Sequence, residues 1–131
     1  MRTINHFIGG RSVTGGDRMA PVYNPSIGKV QAEVTLGDAD LLAQAVEDAR
    51  AAQPAWAALN PQRRARVMFR LKELIERDMD ELAHLLSTEH GKVSADSRGD
   101  IQRGLDVVEF ACGIPHLLKG EYSEGAGPGI E

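Results

Sequence analysis

The chain holds a single cysteine, Cys112, so no internal disulfide can form. Aromatic residues are scarce at 5%, which leaves Leu, Val, Ile and Ala to build a core. No run approaches the ~18 consecutive apolar residues of a membrane-spanning helix. The start, Met1-Arg2-Thr3-Ile4-Asn5-His6, has neither an apolar signal core nor an Arg/Ser-rich transit pattern, and the expected location is the cytoplasm. Basic residues are in deficit, fifteen against nineteen acidic, and the net charge of −4 disfavours a nucleic-acid partner. Motifs with chemistry of their own are missing too. There is no G-x-G-x-x-G, P-loop or G-x-S-x-G elbow, and no H-E-x-x-H or C-x-x-C. His6, His84, His90 and His116 lack second ligands at metal spacing, so no metal site is expected. What remains, 42% hydrophobic and 26% charged in 131 residues, is the composition and size of one globular domain.

Residues 1–37 read as strands and turns. Ile4–Ile8 and Arg11–Val13 flank Gly9-Gly10, a two-residue hairpin link. Thr14–Val22, rich in glycine and carrying Pro21, reads as loop, and Asn24–Gly28 as a turn. Val30, Ala32, Val34 and Leu36 alternate with Gln31, Glu33 and Thr35, the pattern of a strand with one buried face. Its partner is not evident, and an unpaired apolar strand is an aggregation liability.

Residues 38–120 read as helices. Asp38 is a candidate N-cap, and Leu42, Val46, Ala49, Gln53 and Trp56 then form one stripe, with Pro54 expected to kink or end the helix. Asn60-Pro61 opens the next helix, striped by Val67, Leu71, Leu74 and Ile75. Asp78-Met79-Asp80-Glu81 has the form of a capping box and splits the segment. Leu82, Leu85 and Leu86 carry a third helix, which Gly91 stops. A fourth runs from about Ala95 to Cys112, punctuated beyond by Gly113, Pro115 and Gly120. Residues 121–131 form an irregular tail.

Few residues suggest chemistry. Cys112 and His116 stand four apart, but Pro115 breaks the helical geometry between them. Cys112 also continues the Ile101–Leu105–Val108 stripe and reads as a buried, inert thiol. Arg63, Arg64, Arg66, Arg70, Lys72 and Arg77 could face an anionic surface. Glu73 and Glu76 offset them, and a solvated helix face is preferred. The fourth helix is the most informative. Val107 and Phe110 lie opposite its Ile101 stripe, as in a helix covered on both sides. Gly99 and Gly104, each costing ~1 kcal/mol against Ala in a helix interior, suggest close approach by a backbone or ligand. Arg103 falls beside Phe110 and needs an anion, or else an ion pair with Asp100 or Asp106, or a path to solvent.

Several segments together resemble the aldehyde dehydrogenases: Ile4–Gly10, Tyr23–Gly28, Gln53–Trp56 and Thr88-Glu89-His90-Gly91-Lys92-Val93. Residues Ile101 to Glu121 are similar to the CoA-acylating, methylmalonate-semialdehyde-oxidising branch. The resemblance spans the whole chain. It implies an α/β fold: the N-terminal part of an NAD-binding domain, a hairpin and strand followed by helices, with an incomplete sheet. For the complete family enzyme it implies NAD and CoA, a small aldehyde substrate, a nucleophilic cysteine and an oxyanion-hole Asn. That cysteine, the Asn and the glycine motifs near NAD all belong to sequence beyond position 131. Cys112 matches a helix position rather than the catalytic loop, so no catalytic and no cofactor-binding residue is expected here. Arg103 matches the arginine thought to meet the semialdehyde's carboxylate. The expectation is thus a catalytically silent first quarter of such an enzyme, prone to self-association or homo-oligomer formation. The alternative is a non-enzymatic module that associates with a full-length relative.

Overall fold

A computed structural model describes residues 1–122 and 127–129. Five strands precede five helices: β1 (Arg2–Ile4), β2 (His6–Ile8), β3 (Arg11–Val13), β4 (Arg18–Asn24), β5 (Lys29–Leu36), α1 (Ala39–Ala57), α2 (Pro61–Arg77), α3 (Met79–His90), α4 (Ser94–Cys112) and α5 (Ile114–Leu117). The α/β class is as expected. Of the irregular tail, residues 123–126 and 130–131 lie outside the described residues.

The hairpin over Gly9-Gly10 forms as β2–β3, with both glycines at positive φ. The expected strand Ile4–Ile8 is two strands: Asn5 breaks it, and β1 joins a different sheet.

The strand at 30–36 is not unpaired. β5 is the centre of a three-stranded sheet, parallel to β1 and antiparallel to β4. β4 occupies most of the segment read as loop. Pro21 misleads there, because proline cannot donate to a ladder, yet β4 is an edge strand, where proline is tolerated. Central position pairs both edges of β5; Ala32 and Thr35, on its opposite faces, are buried, and the Thr35 hydroxyl donates to the Ile4 carbonyl at 3.3 Å. The turn at Asn24–Gly28 links β4 to β5, with the Ser26 amide donating to Asn24 Oδ1 at 3.0 Å and Gly28 at φ +64°.

The helix boundaries follow their caps. Asp38 Oδ1 accepts from the Leu41 amide at 2.8 Å, and Asn60 Oδ1 from Gln62 at 2.8 Å with Pro61 in the first turn. α1 continues three residues past Pro54 before ending. Gly91, at φ +85°, closes α3. Asp78 does separate α2 from α3, but not as a capping box. Its carboxylate is taken by Arg77, two bonds at 2.7 Å, and caps no amide. The Arg77 guanidinium holds the Asp78 carboxyl below the usual carboxylate range. A depressed folded-state pKa stabilises above the unfolded value and is lost as pH falls through the folded one. Asp78→Asn is therefore expected to lower the urea midpoint slightly at pH 6, with the difference shrinking as pH falls through the range of the folded carboxyl.

The helices pack as a layer in which α2 and α3 both meet α4, and α3 lies against β4. Ser97, fully buried, shares a 2.8 Å hydrogen bond with Ser87 across α3 and α4. Gln31 donates to the Thr88 carbonyl at 3.1 Å and Arg2 pairs with Glu89 at 3.4 Å, tying the sheet to α3. Yet the core is thin. Among the described residues the buried apolar side chains are Ala32, Ala65, Ala83 and Leu105. The accessible surface is 9858 Å². A compact monomer of this mass, 14.2 kDa, exposes about 6,800 Å². The stripe expected to bury α1 is bare: Leu42, Val46 and Trp56 are exposed, and Leu41, Ala45 and Asp48 turn inward instead. The liability inferred from an unpaired strand therefore lies in uncovered helix faces.

Candidate functional site: the outer face of α4

α4 turns its two stripes to different surroundings. Ile101, Leu105, Val108 and Cys112 face α2 and α3, and Leu105 is buried. Val107 and Phe110, 67% and 66% exposed, lie on the other side. The covering expected on both sides is present on one.

Arg103 shares the outer stripe, one turn before Val107 and two before Phe110. Its side chain is 72% exposed and its NH2 group donates to Asp100 Oδ1. Of the options the sequence left open, the ion pair with Asp100 is the one formed, while Asp106 accepts from Gln102 at 2.9 Å. The second Asp100 oxygen accepts from Lys92, which enters from the α3–α4 connection. Gly99 sits under the guanidinium: a Cβ built there would stand 3.7 Å from Arg103 NH1. Gly104 has open space around it. The close approach suggested by the glycines is thus Arg103 itself at Gly99, and nothing among the described residues at Gly104.

Cys112 is half-buried rather than buried, at a shallow depression it shares with Ala65, Phe69, Pro115 and His116. Between it and His116 the helix breaks at Gly113, and no hydrogen bond joins the two side chains. The basic face of α2 is neutralised locally in its second half, while Arg63, Arg64 and Arg66 pair with no carboxylate among the described residues. Arg70 pairs with Glu73 at 2.8 Å, and Lys72 with Glu76 at 2.5 Å and Glu109 at 3.2 Å. Hydrogen bonds that Lys72 donates to Glu76 and then to Glu109 raise its pKa above the ordinary value. Among the described residues no three His, Cys, Asp or Glu side chains are grouped to hold a metal ion. Among the described residues no helix is long and apolar enough to cross a membrane.

The described residues do not fit a dinucleotide. A pyrophosphate rests where a strand leads through glycines into a helix N-terminus. The one such junction, β5–Gly37–Asp38–α1, has the Asp38 carboxylate bonded into the helix start. The only parallel strand pair among the described residues, β1 and β5, is connected through other strands rather than a helix.

Lys92 is the residue that sequence reasoning missed. It stands eight positions before Asp100, off any helical spacing, and only the left-handed turn at Gly91 brings it back onto α4.

Comparison with known proteins accounts for the fold. The chain is 44% identical over its whole length to a malonate-semialdehyde dehydrogenase of Pseudomonas aeruginosa and covers 26% of that protein. A solved structure described as a methylmalonate-semialdehyde dehydrogenase of Sinorhizobium meliloti, complexed with NAD, superposes with TM-score 0.90 at 54% identity, over 98% of this chain and 26% of the other. A methylmalonate-semialdehyde dehydrogenase of Oceanimonas doudoroffii gives TM-score 0.91 at 46% identity, with the same coverage. The chain thus spans about a quarter of the length of the relatives it matches. The sequence profile of the aldehyde dehydrogenase family matches residues 12–129, and the chain belongs to that family.

Proposed function

We propose that this chain is the first quarter of a methylmalonate- or malonate-semialdehyde dehydrogenase and that its Arg103 meets the substrate's carboxylate. The full-length match to a malonate-semialdehyde dehydrogenase carries the reading. The position of Arg103 supports it: an exposed guanidinium over a glycine, on a helix face left bare by the rest of the chain. Guanidinium and carboxylate pair bidentately, which selects a carboxylated aldehyde over a plain one. The complete enzyme in this reading oxidises the semialdehyde with NAD, releases its carboxylate as CO2 and delivers the remaining propionyl or acetyl group to CoA, in the cytoplasm. Residues 1–131 supply recognition, while the nucleophile and the cofactor site come from elsewhere in the enzyme.

The isolated chain is accordingly expected to reduce no NAD when given methylmalonate semialdehyde and CoA. Turnover that survives removal of host dehydrogenases and disappears in Cys112→Ser would overturn the reading of that thiol.

A second reading rests on the uncovered surface, roughly 3,000 Å² more than a compact monomer of this size exposes. It makes the chain a non-enzymatic module that docks on a longer dehydrogenase, and co-purification with such a protein would favour it. Either way the bare faces of α1 and α4 should drive self-association of the isolated chain. Sedimentation is expected to show oligomers or aggregates, and a monomer with a sharp two-state melt would contradict this.

A further inference from the structure

We infer that Asp100 is a positioning residue: clamped by Lys92, it fixes the guanidinium of Arg103 for an incoming carboxylate. The inference rests on the reading of Arg103 given above. Most ion pairs on this chain are ordinary surface contacts. Arg50–Glu47 and Arg70–Glu73 have the same one-turn spacing, and all four side chains are more than 60% exposed. Such pairs hold a side chain only loosely.

The Asp100 pair differs in three ways. Its carboxylate is 32% exposed and its Lys92 partner 19%, so exposure rises outward from Lys92 through Asp100 to Arg103. Lys92 comes from outside the helix, delivered by the Gly91 turn, so Asp100 is fixed from a second direction before Arg103 uses it. Gly99 leaves the flank of α4 flat, and the guanidinium lies across it with NH1 in van der Waals range of a Cβ built there. One donor of the guanidinium goes to Asp100, and four of its five N–H groups stay free for a ligand. Two cations sharing one anion leave the group net positive, which attracts a carboxylate.

The opposite role would be competition, with Asp100 occupying Arg103 until substrate displaces it. The two differ in the sign of the KM change. The test uses an enzyme assembled from this chain and the remaining three quarters of the Pseudomonas aeruginosa relative. Asp100→Asn should raise KM for malonate semialdehyde about five- to tenfold, with kcat within about twofold and propanal oxidation unaffected. Asp100→Glu should recover most of the loss. In an Arg103→Leu background Asp100→Asn should add less than about twofold, because it acts through Arg103.

A fall in KM would overturn positioning in favour of competition. Equal losses for malonate semialdehyde and propanal, or full additivity with Arg103→Leu, would overturn it in favour of a scaffold role. An effective Arg103→Leu beside a silent Asp100→Asn defeats this proposal alone. An Arg103→Leu that spares the carboxylated substrate defeats the underlying reading as well. If the Asp100→Asn enzyme does not fold, Lys92→Met in the same assembled enzyme decides: it keeps the Asp100–Arg103 pair, removes the clamp and should raise KM for malonate semialdehyde at least about threefold while sparing propanal. An unchanged KM in Lys92→Met would overturn the clamp.

Discussion

Arg103→Leu in the assembled enzyme is expected to lower kcat/KM for methylmalonate semialdehyde about ten- to hundredfold, the consequence of losing a charge-assisted pair of about 1.5–3 kcal/mol. Most of the loss should appear in KM, because the carboxylate keeps its charge through the attack on the aldehyde and the hydride transfer. Propanal, which has no carboxylate, should lose little. A purely internal role predicts otherwise. The Arg103–Asp100 pair would then serve α4, and its loss would affect both aldehydes alike and lower the melting temperature. The exposure of Arg103 argues against that role, since an internal pair at a largely exposed guanidinium contributes little stability.

The second large effect concerns the backbone. Gly16 has φ +83°, and a Cβ there would stand 1.9 Å from the Leu36 carbonyl oxygen. The segment between β3 and β4 crosses the end of β5 at that point, and backbone cannot yield as a side chain can. Gly16→Ala should therefore cost about 3 kcal/mol or more, the left-handed penalty plus the displacement of β5. Gly10 supplies the control. Its φ is +77° with nothing within 4 Å of a built Cβ, so Gly10→Ala should cost only the backbone penalty, about 1–2 kcal/mol. Unfolding midpoints of the assembled enzyme carrying each variant, read by far-UV circular dichroism, separate the contributions. Equal shifts would mean that the Leu36 contact does not constrain the fold.

Where the sequence could be read, local chemistry decided the structure. Asp38 and Asn60 cap helices because their carboxylate and amide oxygens reach amides two or three residues on, and Gly91 stops α3 because it tolerates positive φ. Such signals need no knowledge of the rest of the chain. β4 was hidden because Pro21 and the preceding glycines carry a turn composition, and only pairing with β5 reveals that an edge position suits the proline. The α1 stripe was legible as a periodicity, but periodicity says that a face will be covered and not by what. Leu42, Val46 and Trp56 are bare here.

The site was legible to the same partial degree. Arg103 stood out as a charge out of place beside Phe110, and Asp100 was one of its possible partners. Lys92 could not be placed, because its approach to Asp100 depends on the direction of the chain after a left-handed turn. The Asp78 capping box failed for a related reason. An acid-x-x-Glu pattern offers a carboxylate to the helix start, but Arg77 is adjacent and binds it first.

The most direct measurement is CoA-dependent NADH formation by the assembled enzyme, compared with its Pseudomonas aeruginosa parent on malonate semialdehyde. If this chain is the carboxylate-recognising quarter of such a dehydrogenase, kcat/KM should fall within about tenfold of the parent, with propanal disfavoured in both. A folded assembled enzyme that oxidises propanal as well as the parent does, yet shows no preference for malonate semialdehyde, would contradict it.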